Sequence, residues 1–259
     1  MMTNLIKFIN NKKGELSIEF AAVVLLFLVL IYIAYDTYSS IMLQSKLDRT
    51  TYTVASLFRE RTNLYPIADE ELGSSLSSEF SLCRQSTSSA CFKTYELFDQ
   101  NQVNQMQKLA TNLMNKDVSI NIDSLFILQN PLSPGIIQDA KFVTTSGFSC
   151  AGGTCSSEIK NYFNTLPKMT ASSGGSYSAF VEMSPFASRV STQKNIKGRW
   201  VPIYRVNVCI NNDESLYLKL FNKTRLDSDF LPNLCSEAVV ISRCNSINDA
   251  TKDCPIYLS

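Results

Sequence analysis

The chain of 259 residues contains no histidine. That absence removes Ser-His-Asp and Cys-His catalysis, histidine-ligated zinc and covalent attachment of c-type haem, each of which needs an imidazole. Charge is scarce and balanced, with 24 Lys and Arg against 23 Asp and Glu, a formal net charge of +1. A nucleic-acid partner leaves a basic excess, so the balance argues against one. No phosphate-binding Gly-Lys motif and no Cys-x-x-Cys knuckle occur, and no cysteine precedes Cys83. The carboxylates are scattered and form no acid–base constellation. These absences leave no catalytic residue, no cofactor and no metal site to expect, and the chain reads as a non-enzyme.

What is present is a composition of ordinary globular type, 45% hydrophobic and 18% charged, with one long apolar run near the start. From Phe20 to Ala34 no charge interrupts it, and the helical pattern extends back to Leu16 and on to about Tyr38. Such a helix is about 34 Å long, enough to cross a hydrocarbon core of about 30 Å once. Lys7, Lys12 and Lys13 precede it without any acid, so the positive-inside bias keeps the N-terminus cytoplasmic and places everything after Tyr38 outside. Cleavage after the run fits poorly: Tyr32-Ile33-Ala34 has a large residue where signal peptidase needs a small one, Thr37-Tyr38-Ser39, which would leave a start at Ser40, is only passable, and no lipoprotein cysteine is near.

Glu19 stands at the mouth of this run, where a carboxylate costs about 2.5 to 3.5 kcal/mol at bilayer depth even on lenient scales. It is the fifth residue after Gly14, and Phe20 follows it. A glycine behind basic residues, a glutamate five positions on and an aromatic next resemble the class III signal of type IV pilin-like proteins. The Glu-Phe pair is similar to that of the Flp/Tad branch. With its short lysine-bearing leader, lone helix and cysteine-bearing remainder, the chain resembles the TadE/TadF minor pseudopilins of the tight adherence pilus, TadF in particular.

The resemblance implies that a prepilin peptidase cuts between Gly14 and Glu15, leaving the helix attached. Glu15 is a departure, because the first mature position in the family more often holds a small or apolar residue. The resemblance also implies that Glu19 and Phe20 recruit the subunit, Glu19 pairing with the freed N-terminal amine of a neighbouring protomer. That attraction is far stronger in low dielectric than in water. The plainer account of Glu19 is a carboxylate favoured by the helix dipole and snorkelling to the interface. The implied partners are the peptidase, other Tad pilus subunits and an inner-membrane assembly platform. The implied place is the bacterial inner membrane with a periplasmic C-terminal domain, and the implied roles are pilus assembly, surface adherence and biofilm formation. The rival class is a membrane-anchored extracytoplasmic binding domain unrelated to pili.

Past the membrane, Leu43, Leu47, Thr50, Val54 and Leu57 recur at intervals of four and three, predicting that the helix continues to about Arg61 and packs on the domain. The resulting plan is a leader over 1–14, a transmembrane helix over 15–38, its continuation over 39–66 and an extracytoplasmic domain over 67–259. Ser74 to Ala90 reads as a loop region with short helical pieces. Asp99 to Asn115 reads as a helix with Val103, Met106, Ala110, Leu113 and Met114 on one face. The period then drops to two at Val118, Ile120 and Ile122, predicting a strand. Further strands are expected near 140–145, 179–183, 201–210, 216–220 and 238–241. In the clearest of these, Tyr204, Val206, Val208 and Ile210 share a side. The fold class is therefore α+β, the long helix against an antiparallel sheet.

The eight cysteines, Cys83, Cys91, Cys150, Cys155, Cys209, Cys235, Cys244 and Cys254, all follow the apolar run. An even count confined to an exported part predicts disulfides. Nearest-neighbour pairing gives 83 with 91, 150 with 155, 209 with 235 and 244 with 254. Lys194, Lys197, Arg199 and Trp200 form a basic-aromatic cluster that reads as a solvated turn rather than a DNA or glycan contact.

Overall fold

A computed structural model describes residues 12–60, 96–130, 132–155, 157–170, 177–190, 197–211 and 233–243; for 12–18, 141, 158, 188–190, 197, 211 and 233 only the backbone is described. The chain forms two compact units, one of residues 1–45 with 212–232, the other of 46–211 with 233–259. Helix α1, Lys12–Glu60, contributes to both.

In the first unit, α1 is apolar and exposed, and no proline or glycine interrupts it from Glu15 onward. In the second unit α1 turns amphipathic. Leu47, Thr50, Thr51, Val54, Ala55 and Phe58 are buried, whereas Leu57, expected in the seam, is 45% exposed. The reason is the helical period: a 3.6-residue helix drifts off a strict four-three spacing within two turns, so the buried stripe passes to Phe58.

Helix α2, Gln100–Met114, matches its expected span. The Asp99 carboxylate accepts from Gln102 N at 2.7 Å, capping the N-terminus. Asn115 ends the helix at φ 55°, its N–H bonding Thr111 O. Val103, Met106, Ala110 and Met114 form the buried face; Leu113, expected with them, is 42% exposed.

Among the described residues four strands make an antiparallel sheet in the order β2-β1-β5-β6. They are β1 Val118–Leu128, β2 Lys141–Cys150, β5 Ile203–Asn211 and β6 Asn233–Ile241. Two short strands, β3 Phe186–Val190 and β4 Lys197–Trp200, pair separately. Strand β2 outruns its expected end, and the chain then turns through Ala151–Gly153, where Gly152 and Gly153 take φ of 77° and 79°. Residues 179–183, expected as a strand, form helix α4, Ala179–Met183. Ser178 caps it by accepting from Val181 N, and five residues are too few for periodicity to separate the two structures. Helix α3, Ser157–Thr165, was not anticipated. The loop at 74–90 and the strand at 216–220 lie outside the described residues.

Alternation along β1 and β5 sends one set of side chains to each face. The first face carries Ile120, Ile122, Phe126, Tyr204, Val206 and Val208, all fully buried. Phe58 of α1 stands edge-on to Tyr204 and to Phe98, at centroid distances of 5.1 and 5.3 Å. Lys46 Nζ donates to Met114 O at 2.9 Å, so the Lys46 end of α1 lies by the end of α2. The opposite face holds two apolar clusters, Leu125, Ile127, Met169, Val181 and Ile203, and Cys150, Cys155, Ile159, Phe163 and Cys209. This is the α+β arrangement of a helix against an antiparallel sheet.

Candidate functional site

The apolar part of α1 is the most unusual surface in the chain. Phe20 is 70% exposed, Leu25 65% and Ile33 51%, and the large side chains from Phe20 to Tyr38 are all exposed. A soluble monomer does not carry such a surface, whereas a bilayer requires it. The helix is long and apolar enough to cross a membrane by length and composition. Its few polar groups suit that setting: Thr37 Oγ1 donates to Ile33 O at 2.5 Å and Ser40 Oγ to Asp36 O at 3.0 Å, each back-bonding within the helix. Tyr32, Tyr35 and Tyr38, all exposed, gather toward one end of the run as an interfacial aromatic belt does.

Glu19 and Phe20 are exposed on this helix. Gly14 and Glu15 fall in its first turn, where only the backbone is described. One helix thus carries the glycine and the glutamate, about 7.5 Å apart along its axis.

Among the described residues the second unit holds two ion pairs in its interior. Arg199 meets both oxygens of Glu96, at 2.9 and 3.1 Å, and Ser242 Oγ donates to the same carboxylate at 2.6 Å. Arg199 therefore does not belong to a solvated turn, and Trp200 Nε1 is bound to Pro134 O at 3.1 Å. Lys194 lies outside the described residues. Across the sheet, Arg205 Nε donates to Asp123 Oδ2 at 2.9 Å and its Nη1 to Pro167 O at 2.6 Å. Asn121 Nδ2 bonds the same Asp123 oxygen at 3.0 Å. Beside this strip Tyr162 has its pKa raised, first by burial and then by Glu237, with Arg205 opposing. Carboxylates locked to guanidinium groups in this way are poorly placed to move protons.

Cys150 bonds Cys155 and Cys209 bonds Cys235, as nearest-neighbour pairing expects. The pairs 83–91 and 244–254 lie outside the described residues.

The family described as tight adherence pilin protein F (TadF) matches residues 7–243. The chain belongs to the TadF family. No curated protein and no solved structure matches it. As a TadF chain it is a pilin-like component of a Tad pilus with a helix able to span a membrane.

Periodicity and motif reading found the apolar face of α1 but missed two buried ion pairs among the described residues of the TadF second unit. Their partners lie 103 and 82 residues apart, beyond any local pattern. The available signal was a charge on an otherwise apolar strand, Arg205 beside Val206 and Asp123 after Ile122.

Proposed function

We propose that this TadF chain is a minor pseudopilin, a structural and non-catalytic subunit of a bacterial Tad pilus. A prepilin peptidase cuts it between Gly14 and Glu15, and the helix over 15–38 then holds it in the inner membrane, N-terminus cytoplasmic. The continuation over 39–66 and the domain over 67–259 lie in the periplasm. The single observation that carries this reading is one exposed apolar helix bearing Gly14 and, five residues on, the exposed Glu19.

Recruitment follows from electrostatics. Cutting after Gly14 creates a cationic amine near the membrane face, and Glu19 of an adjoining helix is the group to pair with it. In a low-dielectric setting an unpaired carboxylate is penalised and a paired one is not. Phe20 fills the helix–helix contact beside it. Assembled in this way, the subunit serves initiation or regulation of the pilus, and through it surface adherence and biofilm formation, in contact with other pilus subunits and the assembly platform.

Mass spectrometry of the N-terminus of the chain purified from cells with the matching peptidase tests the reading. A chain starting at Glu15 is expected; a retained leader, or a start near Ser40, would instead favour a plain membrane-anchored or secreted binding domain. Glu19→Ala should be cut normally yet be depleted from the pilus assembly, and full incorporation would remove the recruitment role.

A further inference from the structure

We propose that helix α3 is a redox-gated strap: the Cys150–Cys155 bridge holds it on the sheet, and reduction of that bridge by a dithiol releases it while the rest of the second unit stays folded. The oxidised, docked state rests on the periplasmic placement proposed above, where an exported chain meets thiol oxidants.

Helix α3 has little of its own to hold it. Nine residues are too few for a helix to persist alone in water. Of its described side chains only Ile159 and Phe163 are buried, and Tyr162 is half-buried. The surface that seats them is rich in sulfur: Ile159 and Phe163 share one cluster with Cys150, Cys155 and Cys209, and Tyr162, Leu166 and Cys235 border it. Strand register explains the gathering. Cys150, Ser119, Cys209 and Cys235 lie side by side across β2, β1, β5 and β6, a single row on one face of the sheet.

The two ends of the strap are fastened differently. Past its C-terminus, Arg205 Nη1 donates to the Pro167 carbonyl at 2.6 Å and Met169 is buried. At its N-terminus, Cys155 stands two residues ahead of Ser157 and is bound to the last residue of β2. Residues 152–154, between the two cysteines, are exposed.

The two bridges answer a reductant differently. Cys209 and Cys235 sit within a ladder that runs from Ile203↔Ile241 to Asn211↔Asn233, which keeps their sulfurs together after reduction and favours closing again. Cys150 and Cys155 are joined by a turn through two glycines, so their thiols separate once freed. The exchange balances as follows. A thiolate of the dithiol attacks one sulfur of the bridge, and the other leaves as a thiolate and takes up a proton. The second thiol of the reductant then displaces the protein sulfur, giving two cysteine thiols and an oxidised reductant.

The strip under α3 favours release. Asn207 is fully buried, and neither its Oδ1 nor its Nδ2 has a hydrogen-bond partner in the protein. It lies opposite Asn121 and Glu237, one row along the same face from the cysteines. Tyr162 of α3 feels both Glu237 and Arg205, the charges that flank Asn207, so α3 reaches over this row. An unpaired buried amide disfavours the docked state, and lifting α3 opens it to solvent. Docking is thus finely balanced, and the bridge decides it.

The test uses the full chain in detergent. Graded dithiothreitol, followed by thiol alkylation and peptide mass spectrometry, should open Cys150–Cys155 before Cys209–Cys235. Where only the first is open, amide exchange of 157–165 should be faster by about tenfold or more, with 52–58 and 120–126 unchanged. Cys150→Ala with Cys155→Ala should show the same fast exchange of 157–165 without reductant. Unchanged exchange of 157–165 with the bridge open, or a rise spread equally over the three segments, overturns the strap, as does opening of Cys209–Cys235 first. Thiol alkylation in intact cells separates this result from the reading it rests on: cysteines found reduced there remove the periplasmic placement, and the detergent result then decides the strap by itself.

Discussion

Arg199 grips Glu96 through two guanidinium nitrogens, although 103 residues separate them. Tyr204 OH donates to the Glu96 backbone carbonyl at 2.6 Å and Ser242 Oγ to its carboxylate, so β4, β5 and the end of β6 meet on one acid. Truncating one partner strands a buried charge, which costs about 3 to 5 kcal/mol, while replacing both by apolar residues of similar volume costs far less. Glu96→Ala and Arg199→Ala should each lower the urea midpoint of the full chain in detergent by that order. The Glu96→Leu, Arg199→Met double variant should recover much of the loss. Equal losses in single and double variants would mean that the pair acts by packing alone.

The two disulfides should differ in weight because they close loops of different length. Cys209–Cys235 spans 26 residues and Cys150–Cys155 spans 5. Chain entropy makes the longer bridge worth about 1.5 kcal/mol more. Cys209→Ala with Cys235→Ala should therefore destabilise more than Cys150→Ala with Cys155→Ala, read as the shift in denaturation midpoint. The reverse order would show that packing around Cys150 outweighs loop closure.

How legible this arrangement was depends on the range of the physics involved. Val118, Ile120 and Ile122 announced β1, and Tyr204 to Ile210 announced β5, because alternation is a local consequence of burying a face. The apolar face over Asp99 to Asn115 announced α2, and the structure shows those two residues capping its ends. The face of α1 was legible from its lack of charge. The pairing of Glu96 with Arg199 and of Asp123 with Arg205 was not, since only the tertiary fold brings them together. Residues 179–183 misled because a five-residue stretch, Ala-Phe-Val-Glu-Met, is too short to favour either period, and the Ser178 cap decided it.

Gly147 of β2 lies against Val103 of α2. A Cβ there would stand 2.9 Å from Val103 Cγ2 and 3.3 Å from Phe98 Cε2, in a core with little room to yield. Gly147→Ala should cost about 1 to 3 kcal/mol through overpacking. Val103→Ala removes the nearest obstacle, so a double-mutant cycle by chemical denaturation should show the two changes to be less than additive. Strict additivity would mean that the helix shifts freely at this contact.

Tyr162 gives the second unit a sensitivity to alkaline pH. Burial and the neighbouring Glu237 raise its pKa above the ordinary 10.0, against the opposing pull of Arg205. The folded chain then holds the phenolic proton more tightly than the unfolded chain. Below the unfolded value both states are protonated and the stability is fully present. As pH climbs through about 10 the unfolded state loses its proton first, and stability falls until the folded pKa is passed. Tyr162→Phe should flatten this part of the stability profile while leaving neutral-pH stability little changed, since the lost hydroxyl is only half-buried. Glu237→Gln should shrink the decline, which still begins near the unfolded value but ends sooner, because removing the carboxylate lowers the folded pKa toward the ordinary value. Titration of tyrosine absorbance in the full chain, with and without Tyr162, checks the assignment; an identical alkaline profile in Tyr162→Phe would place the sensitivity elsewhere.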